Sequence, residues 1–372
     1  MDVETGERRR AKAADVENFA RVADALDEID FIMSMGNPSD VPEDDLYLHA
    51  FIGMIRGSVK PNVYTAQNRS DMEDIYRIAV AVAGSEDELR ERPFLMHYAE
   101  PISPLFIIEE SLQKHLFCAE KGIPAAYIPS PNTGGGGPIT VAGAVAVGNA
   151  ESLVGLILTQ LVRPGAPFLY GMNTAALDMK STIVSYGSPE WNLGMGAWTE
   201  LARYYDLPVW GYGGASDSKI VDTQAGIEAT FSIVNAFLTR CTLVHDVAYI
   251  EYGSTSSMEM LLIAEEIIRM TRYYMQGVPV NKNTLALDAV ARAEPGGGFL
   301  ADEHTMDNFR TAQWMPDLID RHQYDVWENS GSKDMRTRAN ERARQILAEH
   351  TVPGLSAEAE AVIKDVLEER AS

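Results

Sequence analysis

Short apolar runs alternate with amphipathic stretches along most of this sequence. The runs at 31–34, 62–65, 94–97, 125–128, 168–171, 209–212 and 242–245 read as strands buried on both faces. Between and around them, apolar residues recur at helical spacing near 15–26, 44–55, 71–83, 104–120, 141–161, 192–205, 222–239 and 258–274. This alternation implies βαβ units and a parallel sheet. Right-handed crossovers leave two closures, an open doubly wound sheet or a barrel.

The barrel is favoured, because polar residues gather after nearly every predicted strand. An open sheet would concentrate them at one switch point. The fold class expected is therefore α/β, a TIM (β/α)8-type barrel. Seven strands are visible, and the eighth is expected either in 284–290 or in a segment ahead of the present start. The pattern changes after about 282. Residues 1–282 are read as the barrel and 283–372 as a C-terminal helical extension packed on it, with amphipathic helices at 334–349 and 357–369.

The composition narrows the function classes. With 372 residues, 46% hydrophobic, the chain has ample material for a core. A formal net charge of −23 argues against a protein that tracks phosphates or anionic lipid. The acidity reads as solubility, or as an acidic docking face for a partner. Cys118 and Cys241 lack metal or disulfide spacing and read as small buried residues, which fits a reducing cytoplasm. No signal peptide opens the chain. Its longest apolar stretch, 141–162, is interrupted by Asn149, Glu151 and Gln160 and is expected to be a buried helix rather than a membrane span.

Candidate chemistry follows the strands. The third ends in Met96-His97-Tyr98-Ala99-Glu100, the fifth in Tyr170-Gly171-Met172-Asn173, the sixth in Trp210-Gly211-Tyr212 through Asp217, and the seventh in His245-Asp246 with Tyr249, Glu251 and Tyr252 beyond. In a barrel these groups meet at one mouth. Ring faces attract quaternary ammonium ions without a donor hydrogen, while His97 and His245 suit a carboxylate or acid–base work. The alternative for each is a core role, and Asp222 doubles as a candidate helix cap ahead of Gln224. Gly134–Gly137 lacks the lysine and spacing of a phosphate loop. No HExxH, GxSxG or metal-ligand cluster is present.

The segments RPFLMHYAEPISPL, SPNTGGGGPITVAGAVAVGNAE, PVWGYGGASDSKIVDTQAGIEA, HDVAYIEYGSTSSMEMLLIAEEI and GGGFLADEHTMDNFRTAQWMP resemble the trimethylamine methyltransferase family, the corrinoid-dependent methyltransferases of methylated amines and betaines. The resemblance runs from about Gly6 to Gln345. It implies a TIM barrel that moves one methyl group from a methylated amine to the Co(I) of a cobalamin-bearing partner protein, with no tightly bound cofactor or metal of its own. Two departures stand out: the chain is shorter at its N-terminus than typical members, and it lacks the pyrrolysine of the trimethylamine enzymes. It is similar to the non-pyrrolysine members, for which glycine betaine or a related quaternary amine is the implied substrate.

On that reading Tyr170, Trp210 and either Tyr212 or Tyr249 surround the ammonium group. His245 holds a betaine carboxylate near Asn173, with His97 and Gln224 also at the mouth. Asp217, Asp246 and Glu251 shape the field, and His245, Asp246 and Glu251 form the expected catalytic set. The expected partners are a corrinoid protein and a small methylated amine, with neither nucleic acid nor membrane, and a homo-oligomer is allowed for. The alternatives are a barrel that binds quaternary amines without turnover, a trimethylamine-type enzyme, and a different cobalamin or small-molecule barrel enzyme, which would be expected to show a metal-ligand His/Cys set.

Overall fold

The computed structural model describes residues 1–371. Seven short parallel strands follow one another in chain order: β1 (Ile32–Met33), β2 (Asn62–Tyr64), β3 (Leu95–Ala99), β4 (Ala125–Tyr127), β5 (Phe168–Leu169), β6 (Trp210–Tyr212) and β7 (Leu243–His245). Ladders join β1 through β5 and β6 to β7, and a parallel bridge from Tyr170 to Val209 links the two groups. Eight helices surround them: α1 (Ala13–Asp24), α2 (Leu46–Gly57), α3 (Arg69–Ala83), α4 (Glu109–Lys121), α5 (Val141–Val162), α6 (Pro189–Tyr205), α7 (Thr223–Thr239) and α8 (Met258–Met275). Neighbouring helices pack around the ring, including α8 against α1. The α/β barrel expected from the sequence is present.

Local chemistry explains the helix starts. The side chains of Asn68, Asp222 and Ser257 accept hydrogen bonds from the backbone N–H groups of Asp71, Ala225 and Met260, which supplies donors that the first turn leaves unpaired with an acceptor. Ser188 caps α6 in the same way, ahead of Pro189. Asp222 is thus a cap. Gly155 lets α5 approach β4, since a Cβ there would lie 2.5 Å from the Tyr127 ring.

Among the described residues no ladder joins β7 to β1, so the seam between them is closed by side chains. The Tyr249 hydroxyl donates to the Ser34 carbonyl at 3.3 Å, and the Phe31 ring lies 6.0 Å from that of Trp210. Residues 284–290 supply no eighth strand. They belong to the short helices Lys282–Leu285 and Leu287–Arg292, because Asn281 caps a helical turn there through both Asn283 and Thr284.

Helix α5 is long and apolar enough to cross a membrane by length and composition, but it flanks the barrel. It is not the buried helix expected: Ala144, Val145, Gly148 and Ser152 face inward, while Ile157 and Leu161 are exposed. Beyond the barrel, α9 (Glu303–Ala312) belongs to a segment that stands off the body. Helix α10 (Met335–Glu349) buries Ala339, Ala343 and Ile346 against α8 and α1. Helix α11 (Ala357–Ala371) packs on α3, where Arg370 forms ion pairs with Asp45, Asp71 and Asp74.

Candidate active site

Strand parity decides which side chains enter the barrel. Tyr98 on β3, Trp210 and Tyr212 on β6 and His245 on β7 converge. The His245 ring lies 4.5 Å from Trp210, 4.7 Å from Tyr212 and 5.7 Å from Tyr98, between centroids. Tyr98 is 5.4 Å from Trp210, and its hydroxyl is 3.5 Å from that of Tyr212. Trp191, at the start of α6, lies 5.0 Å from Tyr212 and stacks on Tyr186 at 4.9 Å. Asn173 joins this group by accepting from Trp191 Nε1 at 3.0 Å.

Two carboxyls stand among these rings. Asp246 Oδ1 is 3.0 Å from His245 Nδ1. Burial raises the Asp246 carboxyl to about 8, with repulsion from Glu100 adding to the shift. Burial alone lowers His245 to about 3. Glu100 stands at the mouth, exposed on its outer side, and the protein around it raises its carboxyl toward about 7 against a hydrogen bond from Tyr98. His245 Nε2 and Trp210 Nε1 are both buried and have no hydrogen-bond partner. Their free hydrogen-bonding capacity, beside the rings and the two carboxyls, leaves them open to a polar ligand group.

The loop after β7 is strained. Asp246, Ala248, Glu251 and Tyr252 all have positive φ, at 77°, 82°, 52° and 49°. This conformation disfavours any residue with a Cβ, and such strain concentrates at functional sites. Beside this loop opens a cavity of about 740 Å³ between the segments after β1 and β7, lined by Arg8–Arg10, Ser34, Gly36, Tyr249 and Thr255 among others. Tyr249 lines this cavity and packs against the ring cluster, and burial, with the nearby Asp246 adding, holds its hydroxyl well above the usual value.

Several expected site residues lie elsewhere. His97 precedes Tyr98, so it points outward, where its ring is 5.2 Å from Tyr64 between β3 and the helices. Tyr170 also faces outward and donates to Asn149 Oδ1 at 2.8 Å. Gln224 lies in the first turn of α7 and donates to Glu228 on the surface. Glu251 is paired with Arg8 at 2.8 Å at the rim of the cavity, away from the rings. Asp217 acts through the loop above the barrel. It accepts from Ser185 Oγ, from Tyr186 N at 2.8 Å and from Gly187 N at 3.2 Å, which positions Tyr186 against Trp191. Trp210, Tyr212, His245, Asp246, Tyr249 and Asn173 are brought together as expected.

Tyr98 and Glu100 lie in the segment expected at the mouth but were assigned no role, and Tyr186 and Trp191 were not among the candidates. Strict alternation along β3 identifies the first two once one interior residue is known. Tyr186 and Trp191 come from the hairpin Ala176–Leu177/Val184–Ser185 and the helix start that follows it, which no strand-end rule reaches. The glycine run Gly134–Gly137 packs under this hairpin, where a Cβ on Gly134 would meet Met179 at 2.2 Å. Among the described residues no group of three or more His, Cys, Asp or Glu side chains is placed to hold a metal ion.

The chain matches one family model and several relatives. The family model for trimethylamine methyltransferase (MTTB) matches residues 1–372. A glycine betaine methyltransferase of Desulfitobacterium hafniense (strain Y51) is 33% identical over 367 residues, covering 98% of this chain and 76% of the relative. The trimethylamine methyltransferase MttB of D. hafniense (strain DSM 10664 / DCB-2) is 32% identical over 369 residues, 99% of this chain and 74% of the relative. The crystal structure of the Methanosarcina barkeri monomethylamine methyltransferase MtmB aligns with a TM-score of 0.48 and 13% identity, covering 92% of this chain and 72% of that one. The whole-chain match, with the aromatic, carboxyl-bearing barrel described above, makes this chain a member of the trimethylamine methyltransferase family.

Proposed function

We propose that this chain takes a methyl group from a quaternary amine bearing a carboxylate, of the glycine betaine type, and passes it to the Co(I) of a corrinoid carried by a partner protein. The observation that carries this reading is the pair of unpartnered ring nitrogens, Trp210 Nε1 and His245 Nε2, in rings only 4.5 Å apart and flanked by the rings of Tyr98 and Tyr212.

Trp210 Nε1 is a donor only. His245 Nε2 becomes a donor when the His245–Asp246 pair holds its second proton. With a proton between Asp246 Oδ1 and His245 Nδ1, the remaining imidazole proton sits on Nε2 in either way of sharing it. The raised Asp246 carboxyl keeps that proton up to a pH of about 8. Two N–H donors then face a ligand carboxylate, and the ring faces of Tyr98 and Tyr212 suit the adjacent ammonium group.

The methyl group leaves as a cation equivalent. The N–C electron pair stays on nitrogen, yielding a tertiary amine, and no proton moves. The corrinoid supplies the two-electron nucleophile when its protein presents it at the mouth. A quaternary nitrogen is already an activated leaving group, so this chain's residues bind, orient and exclude water. Glu100 at the mouth is the carboxyl that can carry charge near the cation, while Asp246 stays neutral and serves the donor role of His245. Placement in the cytoplasm is part of the proposal.

Anaerobic incubation of the chain with reduced cobalamin and glycine betaine tests this. Dimethylglycine formed in step with loss of Co(I) absorbance is the expected result. A folded protein that binds betaine but gives no dimethylglycine, either with free cobalamin or with the corrinoid protein, would support the binding-only alternative.

A further inference from the structure

Tyr186 reaches the mouth from outside the barrel strands, at the end of the hairpin that precedes α6. Its ring stacks on Trp191 at 4.9 Å and 17°. It also lies against the loop after β7, where a Cβ on Gly253 would come within 3.0 Å of Tyr186 Cε2. Burial, with the charges of Asp246 and Glu100 adding, raises its hydroxyl above the usual value. A side chain that bridges two loops is only as well placed as the backbone that carries it.

Two carboxylates in series hold that backbone. Asp217 accepts from Ser185 Oγ and from the N–H groups of Tyr186 and Gly187. Glu228, on α7, in turn holds Asp217. Its Oε2 accepts from Ser216 Oγ at 2.6 Å and from the Asp217 N–H at 2.8 Å, and its Oε1 accepts from Gln224 Nε2 at 3.0 Å. The hairpin backbone also rests on the same carboxyl group, since a Cβ on Gly187 would lie 2.3 Å from Glu228 Cδ. All of these donors are neutral groups, and a hydrogen bond to a charged acceptor is stronger than one between neutral partners. Ser216 extends the hold to the strained loop after β7. Its N–H donates to the Tyr249 carbonyl at 3.0 Å, and its carbonyl accepts from the Tyr252 N–H at 3.1 Å.

We propose that Glu228 is a positioning residue for methyl transfer. From outside the ring cluster it fixes Tyr186 through Asp217 and the loop of Tyr249 through Ser216, so that both rings close over the bound substrate. What they close on rests on the quaternary-amine reading above. Rings that enclose the ground state and the transition state alike contribute uniform binding, so loosening them raises KM and leaves kcat nearly unchanged.

Glu228→Ala and Glu228→Gln separate positioning from plain stability. The glutamine keeps an oxygen for Ser216 and Asp217 and turns its amide N–H toward the side-chain oxygen of Gln224. Glu228→Ala should raise the KM for glycine betaine about 10-fold or more, with kcat within about threefold. Glu228→Gln should bring KM back to within about threefold of native. Combined with Asp217→Ala, the alanine variant should raise KM by well under the product of the two single effects, because both act on one hairpin. Trypsin cleavage after Lys180, in the turn of that hairpin, needs no substrate; it should be faster in the alanine variant and native-like in the glutamine variant. Faster cleavage with KM unchanged, a glutamine variant as impaired as alanine, or fully multiplicative effects with Asp217→Ala would each overturn the proposal. A native chain without turnover counts against the methyltransferase reading alone. Calorimetric betaine affinity then replaces KM, and an affinity or a cleavage rate that Glu228→Ala leaves at the native value overturns the positioning role.

Discussion

His245 Nδ1 lies 3.0 Å from Asp246 Oδ1, and both groups are pushed by burial toward their neutral forms. The pair therefore keeps one more proton than an exposed histidine and aspartate would hold near neutrality. That proton decides whether His245 Nε2 donates or accepts.

Betaine affinity should consequently fall as the pH rises past about 8. Once Asp246 ionises, the imidazole keeps its single proton on Nδ1 for the carboxylate, and Nε2 presents a lone pair to the ligand carboxylate. Asp246→Asn places an amide N–H against Nδ1 and leaves the Nε2 proton in place, so it should flatten this alkaline limb. Calorimetric titration of glycine betaine between about pH 6.5 and 9 measures both. A native affinity that does not change over that range would remove the donor role from His245.

The ring faces should distinguish charge from shape. The neutral isostere of glycine betaine, with carbon in place of nitrogen, fills the same volume. It should bind more weakly by about 1–2 kcal/mol, roughly 5- to 30-fold. Equal affinities would mean that the aromatic cluster reads only size.

Asp217 accounts for the seating of the hairpin and Tyr186 above Trp191. Asp217→Ala leaves Ser185 Oγ and two backbone N–H groups without their acceptor. It should cost about 1–3 kcal/mol, speed proteolytic nicking in residues 176–187 and raise KM more than it lowers kcat. Gln224→Ala, in contrast, should leave betaine affinity within about twofold, since surface changes of this kind are nearly neutral.

Tyr170→Phe separates fold from function. It removes a hydrogen bond to Asn149 outside the barrel, so thermal unfolding should register a loss of about 1 kcal/mol while betaine affinity is kept. A large loss of affinity would place Tyr170 in the site after all.

The thermal midpoint should fall between pH 6.5 and about 8.5. Asp246, Glu100 and Glu265 have folded values of about 8, 7 and 7, above their ordinary ones. The stability they carry is complete at low pH and is lost as pH rises through those values. His245 acts in the opposite sense, but only as pH falls from 6.5 toward about 3. Asp246→Asn should make the decline above pH 6.5 shallower, as scanning calorimetry would show.

The barrel was legible because its strands announce themselves: seven apolar runs, each with a helical stretch on either side. Trp210, Tyr212 and His245 were legible because they stand at strand ends. Parity was not legible. Strands buried on both faces carry apolar residues throughout, so nothing in LMHYA says whether His97 or Tyr98 faces inward. A one-residue error exchanges a site residue for one packed under the helices, and the same holds for Tyr170. Glu251 and Gln224 were misplaced for another reason. Beyond a strand end the chain turns through conformations that spacing does not specify, and Glu251 swings to Arg8 at the rim. The region 284–290 looked like a strand because its apolar residues are exposed on the segment that stands off the body rather than arranged around a core.

The left-handed backbone at Ala248 has a practical corollary for anyone seeking a hardier variant. Glycine tolerates φ of 82° without steric penalty, so Ala248→Gly would relieve the conformational cost that alanine incurs there. It would also remove the stiffness that keeps Asp246 facing its imidazole. Heat tolerance and substrate discrimination should therefore trade against each other at a residue that touches no ligand.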